Sequence, residues 1–410
     1  MNEPAATGVR HRDDDGDWRS AGTSARAWFA APSHAAGAGL VTRIAALPEI
    51  AGRNGLPDID LRAGGVGVCL RPGDVAVARA ISVAAAGLGL TGEPAVLQTL
   101  QVRIDAVGTE PVTSFWRTVL GYERAGDGVL TDPLRRAPVV RVGRLSEPRP
   151  LRNRIHLDVV REPAAVQAVK TAIGGQAYGA NGLTLADSEG NEVDLVPGSG
   201  LSRETPDWGV LLGAMTFYPA ASPQQAARLA AAVAGLADDA AVPLLIDLRP
   251  DGVVIDSGKD QWHDDQGAPG TRFADLAGRI QIAARDLGLS ADPARPRFLQ
   301  FGIDAADVPA VRQFWAAVLG YRYDPRTNLT DIYDPRRLNP EFFFQQLDPA
   351  DHDRRRQRNR IRFDLLIPHD QLQARLGTAV AAGGQIVAQA PGRYALTDPE
   401  GNEIDIIASP

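Results

Sequence analysis

The 410-residue chain repeats itself, and no other feature limits its fold as tightly. "LADSEGNEVDLV" at Leu185 returns as "LTDPEGNEIDII" at Leu396, "RNRIHLDVV" at Arg152 as "RNRIRFDLL" at Arg358, and "SFWRTVLGY" at Ser114 as "QFWAAVLGY" at Gln313. The markers keep their order, with Phe115 and Phe314 199 positions apart and Asp187 and Asp398 211 apart, so the copies differ by insertion. Upstream, "LPDIDLRAGGVGV" at Leu56 is echoed by "VPLLIDLRPDGVVI" at Val242, each after an alanine-rich stretch of helical periodicity. A repeat of this length duplicates whole folding units. The pattern predicts four modules, at 20–92, 95–199, 207–291 and 296–410.

Composition narrows the class of protein. The 44% hydrophobic content is that of a chain with packed cores, and no apolar run approaches the roughly 20 residues needed to span a bilayer. The charged amino-terminal stretch does not read as an export signal, so the expected location is cytoplasmic, with no membrane partner. Cys69 is the only cysteine, which excludes an intramolecular disulfide framework and any multi-thiolate zinc site. A formal charge of -7 argues against nucleic acid as a partner. The basic run "DRRRQRNRIR" at Asp353 leads into a strand pattern instead.

Within each larger module the pattern runs strand, amphipathic helix, several strands, then strand, helix and closing strands. The helices "PVTSFWRTVLG" and "VPAVRQFWAAVLG" stop at glycine, the usual left-handed terminator. Side chains alternate along a strand, so Gln101, Arg103 and Asp105 share one face, as do Arg154, His156 and Asp158, and in the second copy Arg360, Arg362 and Asp364. The "FW..VLGY" helix end, the "NRIHLD" strand and the "D.EGNE" turn together resemble the vicinal oxygen chelate family, in particular its glyoxalase-like branch. The resemblance covers about 210 residues. It implies an α+β fold of two glyoxalase-like domains of paired βαβββ modules, each enclosing a cup for a small molecule.

The smaller modules, helix then hairpin then helix, resemble pterin-4a-carbinolamine dehydratase. That family carries a His-His-Pro-Asp signature before its first strand. Here Pro57 and Pro243 match, Asp58 matches in the first copy only, and Gly55, Leu56, Ala241 and Val242 stand where the histidines belong. None of these four can move a proton. Unless His263, in the inserted "KDQWHDDQG" near the position of the family's later histidine, or the carboxylates Asp58 and Asp60 substitute, both modules are expected to be inactive as dehydratases.

The resemblance implies that Gln101, His156 and Asp194 meet in the first cup, with Arg154 beside them. The second cup is expected to hold Gln300, Arg360, Arg362 and Asp405. A guanidinium cannot ligate a cation, so Arg362 excludes a metal from the second copy. The cups are expected to bind a small polar or aromatic ligand with no cofactor, a divalent metal being the alternative for the first cup alone. The leading function is a glyoxalase-like small-molecule-binding protein that sequesters its ligand or acts on it without metal. The alternatives are a lyase of the carbinolamine dehydratase type and a structural pseudo-dimer scaffold, and a homodimer is left open.

Overall fold

The computed structural model describes residues 16–21, 24–51, 55–264 and 267–409. Three sheets organise them, and no single copy owns any of the three.

The two smaller modules merge into one ten-stranded sheet, joined where Asp58–Arg62 runs antiparallel to Leu245–Arg249 and Asp60 faces Asp247. Ile59, Leu61, Ile246 and Leu248 turn to a core shared with the helices His34–Ala45, Val75–Ala86, Pro223–Ala240 and Thr271–Asp286. Each first helix is preceded by a strand absent from the predicted layout, Ser24–Ala30 and Gly213–Pro219. The second of these is buried along six of its seven residues, so its sequence lacks the alternation that marks a half-exposed strand.

The larger modules exchange halves. In a seven-stranded sheet, Ile155–Arg161 of the first copy pairs antiparallel with Phe298–Ala305 of the second. In an eight-stranded sheet, Thr99–Ala106 of the first pairs with Ile361–Pro368 of the second. The expectation that each copy closes its own cup is thereby corrected. Because the copies are near repeats, either pairing offers comparable strand edges, and the sequence alone does not choose between them. Apolar faces of both sheets, with Leu100, Val102, Phe301 and Phe363, meet one core that contains Trp116 and Trp315.

The two repeated signatures lock this exchange. Asp187 accepts hydrogen bonds from the Asn191 amide and side chain and from Trp116 Nε1, and Asp398 does the same with Asn402 and Trp315. Across the copies, Asn153 Oδ1 accepts from the Arg360 amide at 2.9 Å and Asn359 Oδ1 from the Arg154 amide at 2.9 Å. Arg360 donates to Asn191 Oδ1 and to the carbonyls of Gly190 and Leu151, all in the first copy. Arg154 reaches the Glu400 carbonyl at 2.5 Å in the second. Both guanidiniums are buried and spent on the partner copy's turn.

The merged sheet sits on two related turns of the larger modules. Asp132 caps one by accepting from the amides of Leu134 and Arg136, and Asp334 caps the other through Arg336 and Leu338. From the first turn, Arg136 pairs with Asp247 and Asp256, Arg135 with Asp58, and the Leu134 carbonyl accepts from Arg249.

Candidate functional site

Strand register aligns Asp194, Asp158, Gln300 and Glu341 in one row across the seven-stranded sheet. His156, two residues before Asp158 on the same face, stands opposite Gly302. A Cβ at position 302 would lie 2.2 Å from His156 Cε1, so only glycine leaves room for this imidazole. His156 Nε2 is 3.7 Å from Asp158 Oδ1, and Gln300 Nε2 donates to Asp158 Oδ2 at 2.8 Å. Asp194 Oδ1 accepts from Thr184 at 2.6 Å. One potential ligand atom each of His156, Asp158 and Asp194 lie within 4.8 Å of one another.

Two acceptors of this group are unused. Asp158 Oδ1 and Gln300 Oε1 are buried and take no hydrogen bond. Burial pushes the Asp158 carboxyl above its ordinary range, opposed by His156 and Gln300. Burial likewise pushes Glu341 up to about 7, against the pull of Arg337 and Lys259. Phe343 closes one side, its ring edge-on to His156 with centroids 5.6 Å apart. The alternation along Glu341–Gln346 sends Phe342 and Phe344 into the core and leaves Phe343 half-buried on the polar face.

The matching face of the eight-stranded sheet is built from ion pairs. Arg362 contacts Asp105 at 3.1 Å and Asp405 at 3.3 Å, Arg103 contacts Asp364 at 3.5 Å, and Arg393 pairs with Asp405 and Asp364. Arg141 donates to Gln101 Oε1 at 2.9 Å. Four guanidiniums thus face three carboxylates, and burial raises the Asp364 carboxyl despite Arg103 and Arg393.

The predicted residues therefore regroup. His156 and Asp194 meet as expected, but their amide partner is Gln300 and not Gln101, which lies with Arg362 and Asp405 on the other sheet. Arg154 and Arg360 line neither face, because their guanidiniums clamp the opposite copy. Asp158 was legible as a face partner of His156 but not as a member of the ligand group. Glu341 and Lys259 were missed. The signal for Lys259 lay in composition, since the chain has only one other lysine.

Among the described residues, the histidine that reaches the Pro243 segment is His34, whose Nε2 lies 2.9 Å from the carbonyl of the adjacent Leu244. Leu56 is buried, and Asp58 is held by Arg135 at 2.7 Å. His263 lies in a loop with Nε2 3.8 Å from Asp260. His34 bridges Asp238 and the Leu244 carbonyl as a packing element, and His11 lies outside the described residues. No helix among the described residues is long and apolar enough to cross a membrane.

Residues 101–196 and 300–407 each match the family model described as a glyoxalase-like domain. Glyoxalase I from Zea mays is 8% identical, covering 76% of this chain and 93% of its own, at a TM-score of 0.36. The cppA protein from Streptococcus pneumoniae is 9% identical, covering 76% and 98%, at 0.34. A glyoxalase/bleomycin resistance protein from Albidiferax ferrireducens is 17% identical, covering 27% and 95%, at 0.20. No curated protein matches the chain. The family match falls on the two larger modules, each of which is similar to a glyoxalase-like domain.

Proposed function

We propose that the chain binds a small oxygen-bearing molecule on the face shared by His156, Asp158, Asp194 and Gln300, next to a divalent cation held by those residues. The observation that carries this reading is the cluster of His156, Asp158 and Asp194, whose ligand atoms lie within 4.8 Å of one another, with the buried Asp158 Oδ1 receiving no donor and Gln300 Oε1, on the neighbouring strand, also unpaired. Unsatisfied buried oxygens are costly, and two carboxylates with an imidazole and an amide oxygen suit a divalent ion. This departs from the expectation of a metal-free site and takes up the alternative of a divalent metal, with Gln300 in place of Gln101 as the amide. A bound cation would polarise a ligand oxygen. The chain's own residues set its position: Gln300 orients Asp158, Thr184 orients Asp194, and Phe343 fixes the imidazole and offers a flat wall to a planar ligand.

The test is calorimetric titration with Mn2+. Wild type is expected to take up one ion per chain, and His156→Ala and Asp194→Ala none. A wild type that binds no divalent ion contradicts the reading.

The second face is proposed to take an anion, because Arg103, Arg141, Arg362 and Arg393 outnumber Asp105, Asp364 and Asp405. Arg362→Ala is expected to weaken sulfate binding there while His156→Ala does not, as followed by titration of both variants. Unchanged sulfate binding in Arg362→Ala would leave that arginine a structural ion pair.

A further inference from the structure

Of the 43 basic residues counted as lysine or arginine, only Lys170 and Lys259 are lysine. Lys170 donates to the Gly182 carbonyl near the end of its helix. Lys259 is 8% exposed and reaches the His156 face from a different module. A chain that uses arginine for nearly every cation, yet places a lysine in a buried position, has selected a compact ammonium over a planar fork.

The segment that delivers it is peculiar to the second copy. Between strand and helix the first smaller module has residues 71–74, whereas the second has 257–270. Its first residues, 257–262, are pinned. Asp256 Oδ1 accepts from the Gly258 amide at 2.7 Å, Ser257 Oγ donates to the Gly258 carbonyl at 2.8 Å, and the Leu212 carbonyl accepts from the Asp260 amide and from Trp262 Nε1. Gly258 has φ 81, a left-handed angle that favours glycine and turns the chain toward the site.

Lys259 Nζ pairs with Asp331 and stands 5.9 Å from the Phe343 ring centroid, the same ring that His156 touches. An ammonium carries three donors. Among the described residues, Asp331 takes the only hydrogen bond that Nζ makes. Two N–H groups of a buried cation are left beside a site that carries the carboxylates of Asp158 and Asp194, and a guanidinium there would bring five donors into the same space.

We propose that Lys259 anchors the ligand of the His156 face, and that this ligand is a small anionic oxygen chelator: a carboxylate with a carbonyl or hydroxyl oxygen on the adjacent carbon. The carboxylate takes the two spare ammonium donors as charge-assisted hydrogen bonds. The adjacent oxygen is directed to the cation position and the planar part rests on Phe343. The second smaller module thereby acts as a specificity element for the glyoxalase-like face beneath it. The eight-stranded sheet, facing the copy with the short connection, has no such lysine. The inference rests on the cation-site reading above, and the experiment separates the two.

Full-length protein is loaded with Mn2+, and oxalate binding is followed by electron paramagnetic resonance in wild type, Lys259→Met and the double variant Lys259→Met/Asp331→Asn. The double variant removes the unpaired buried carboxylate that could unfold the single one. Mn2+ affinity is expected to stay within about threefold in every protein that folds, while the oxalate Kd rises by about tenfold or more, the loss of a charge-assisted hydrogen bond. Wild-type oxalate affinity in either variant, with Mn2+ bound, overturns the role of Lys259 and leaves it a structural partner of Asp331. A wild type that binds no Mn2+ overturns both this inference and the reading beneath it.

Discussion

Asn191 accepts hydrogen bonds from Asn153 and from Arg360 Nε while its own amide groups hold Asp187. One buried side chain therefore ties a turn to its own strand and to the other copy. Removing it leaves the Arg360 guanidinium short of an acceptor, and an unsatisfied buried group costs about 1–3 kcal/mol. Asn191→Ala is expected to lower stability by about 2 kcal/mol or more in denaturant unfolding, and Asn402→Ala by a similar amount. A loss under about 0.5 kcal/mol would show that water replaces these bonds. Asp364 bears on pH. Its folded-state carboxyl is raised, so it gains a proton as the pH falls through a window above the ordinary aspartate value, and the acidic side then loses one charge against Arg103 and Arg393. Sulfate binding on that face is expected to tighten in wild type as the pH falls from neutral through that window, and to be tight on both sides of it in Asp364→Asn. A titration in which both proteins show the same pH profile would assign the effect elsewhere.

At the level of elements, alternation was a sound guide to which residues share a face. It placed His156 with Asp158, as the strand register shows. The helix stops were equally legible, since Gly121 and Gly320 take φ 63 and 66. Strands buried on both faces, such as Gly213–Pro219, carry no such rhythm and were passed over. Arg154 and Arg360 failed for another reason. They precede the first paired residues of their strands, so alternation did not govern where their guanidiniums turn. Gly302 is the element-scale test of the site. Gly302→Ala would drive a methyl into the imidazole, and is expected to weaken Mn2+ binding by about tenfold through displacement of His156, with a stability loss of about 1–3 kcal/mol. Unaltered Mn2+ affinity in this variant would mean that the imidazole position does not matter to the ion.

For the molecule as a whole, the sequence displays the duplication openly and conceals its consequence. Half-modules that repeat each other offer the same edges, so the choice between closing within a copy and exchanging between copies is made by the connections and by the asparagine and arginine clamp. Every large sheet takes strands from both sides of the exposed linker around Arg203 and Glu204. A protease site introduced there is expected to yield two fragments that still elute as one particle under native conditions. Fragments that separate would contradict the exchange. The most direct test compares two glutamines that the sequence makes equivalent. Mn2+ titration of Gln300→Ala is expected to show affinity reduced by about tenfold, because this amide touches Asp158 across the junction, whereas Gln101→Ala should match wild type. Weakened binding in Gln101→Ala with wild-type binding in Gln300→Ala would mean that each copy closes its own site, and the composite architecture would be wrong.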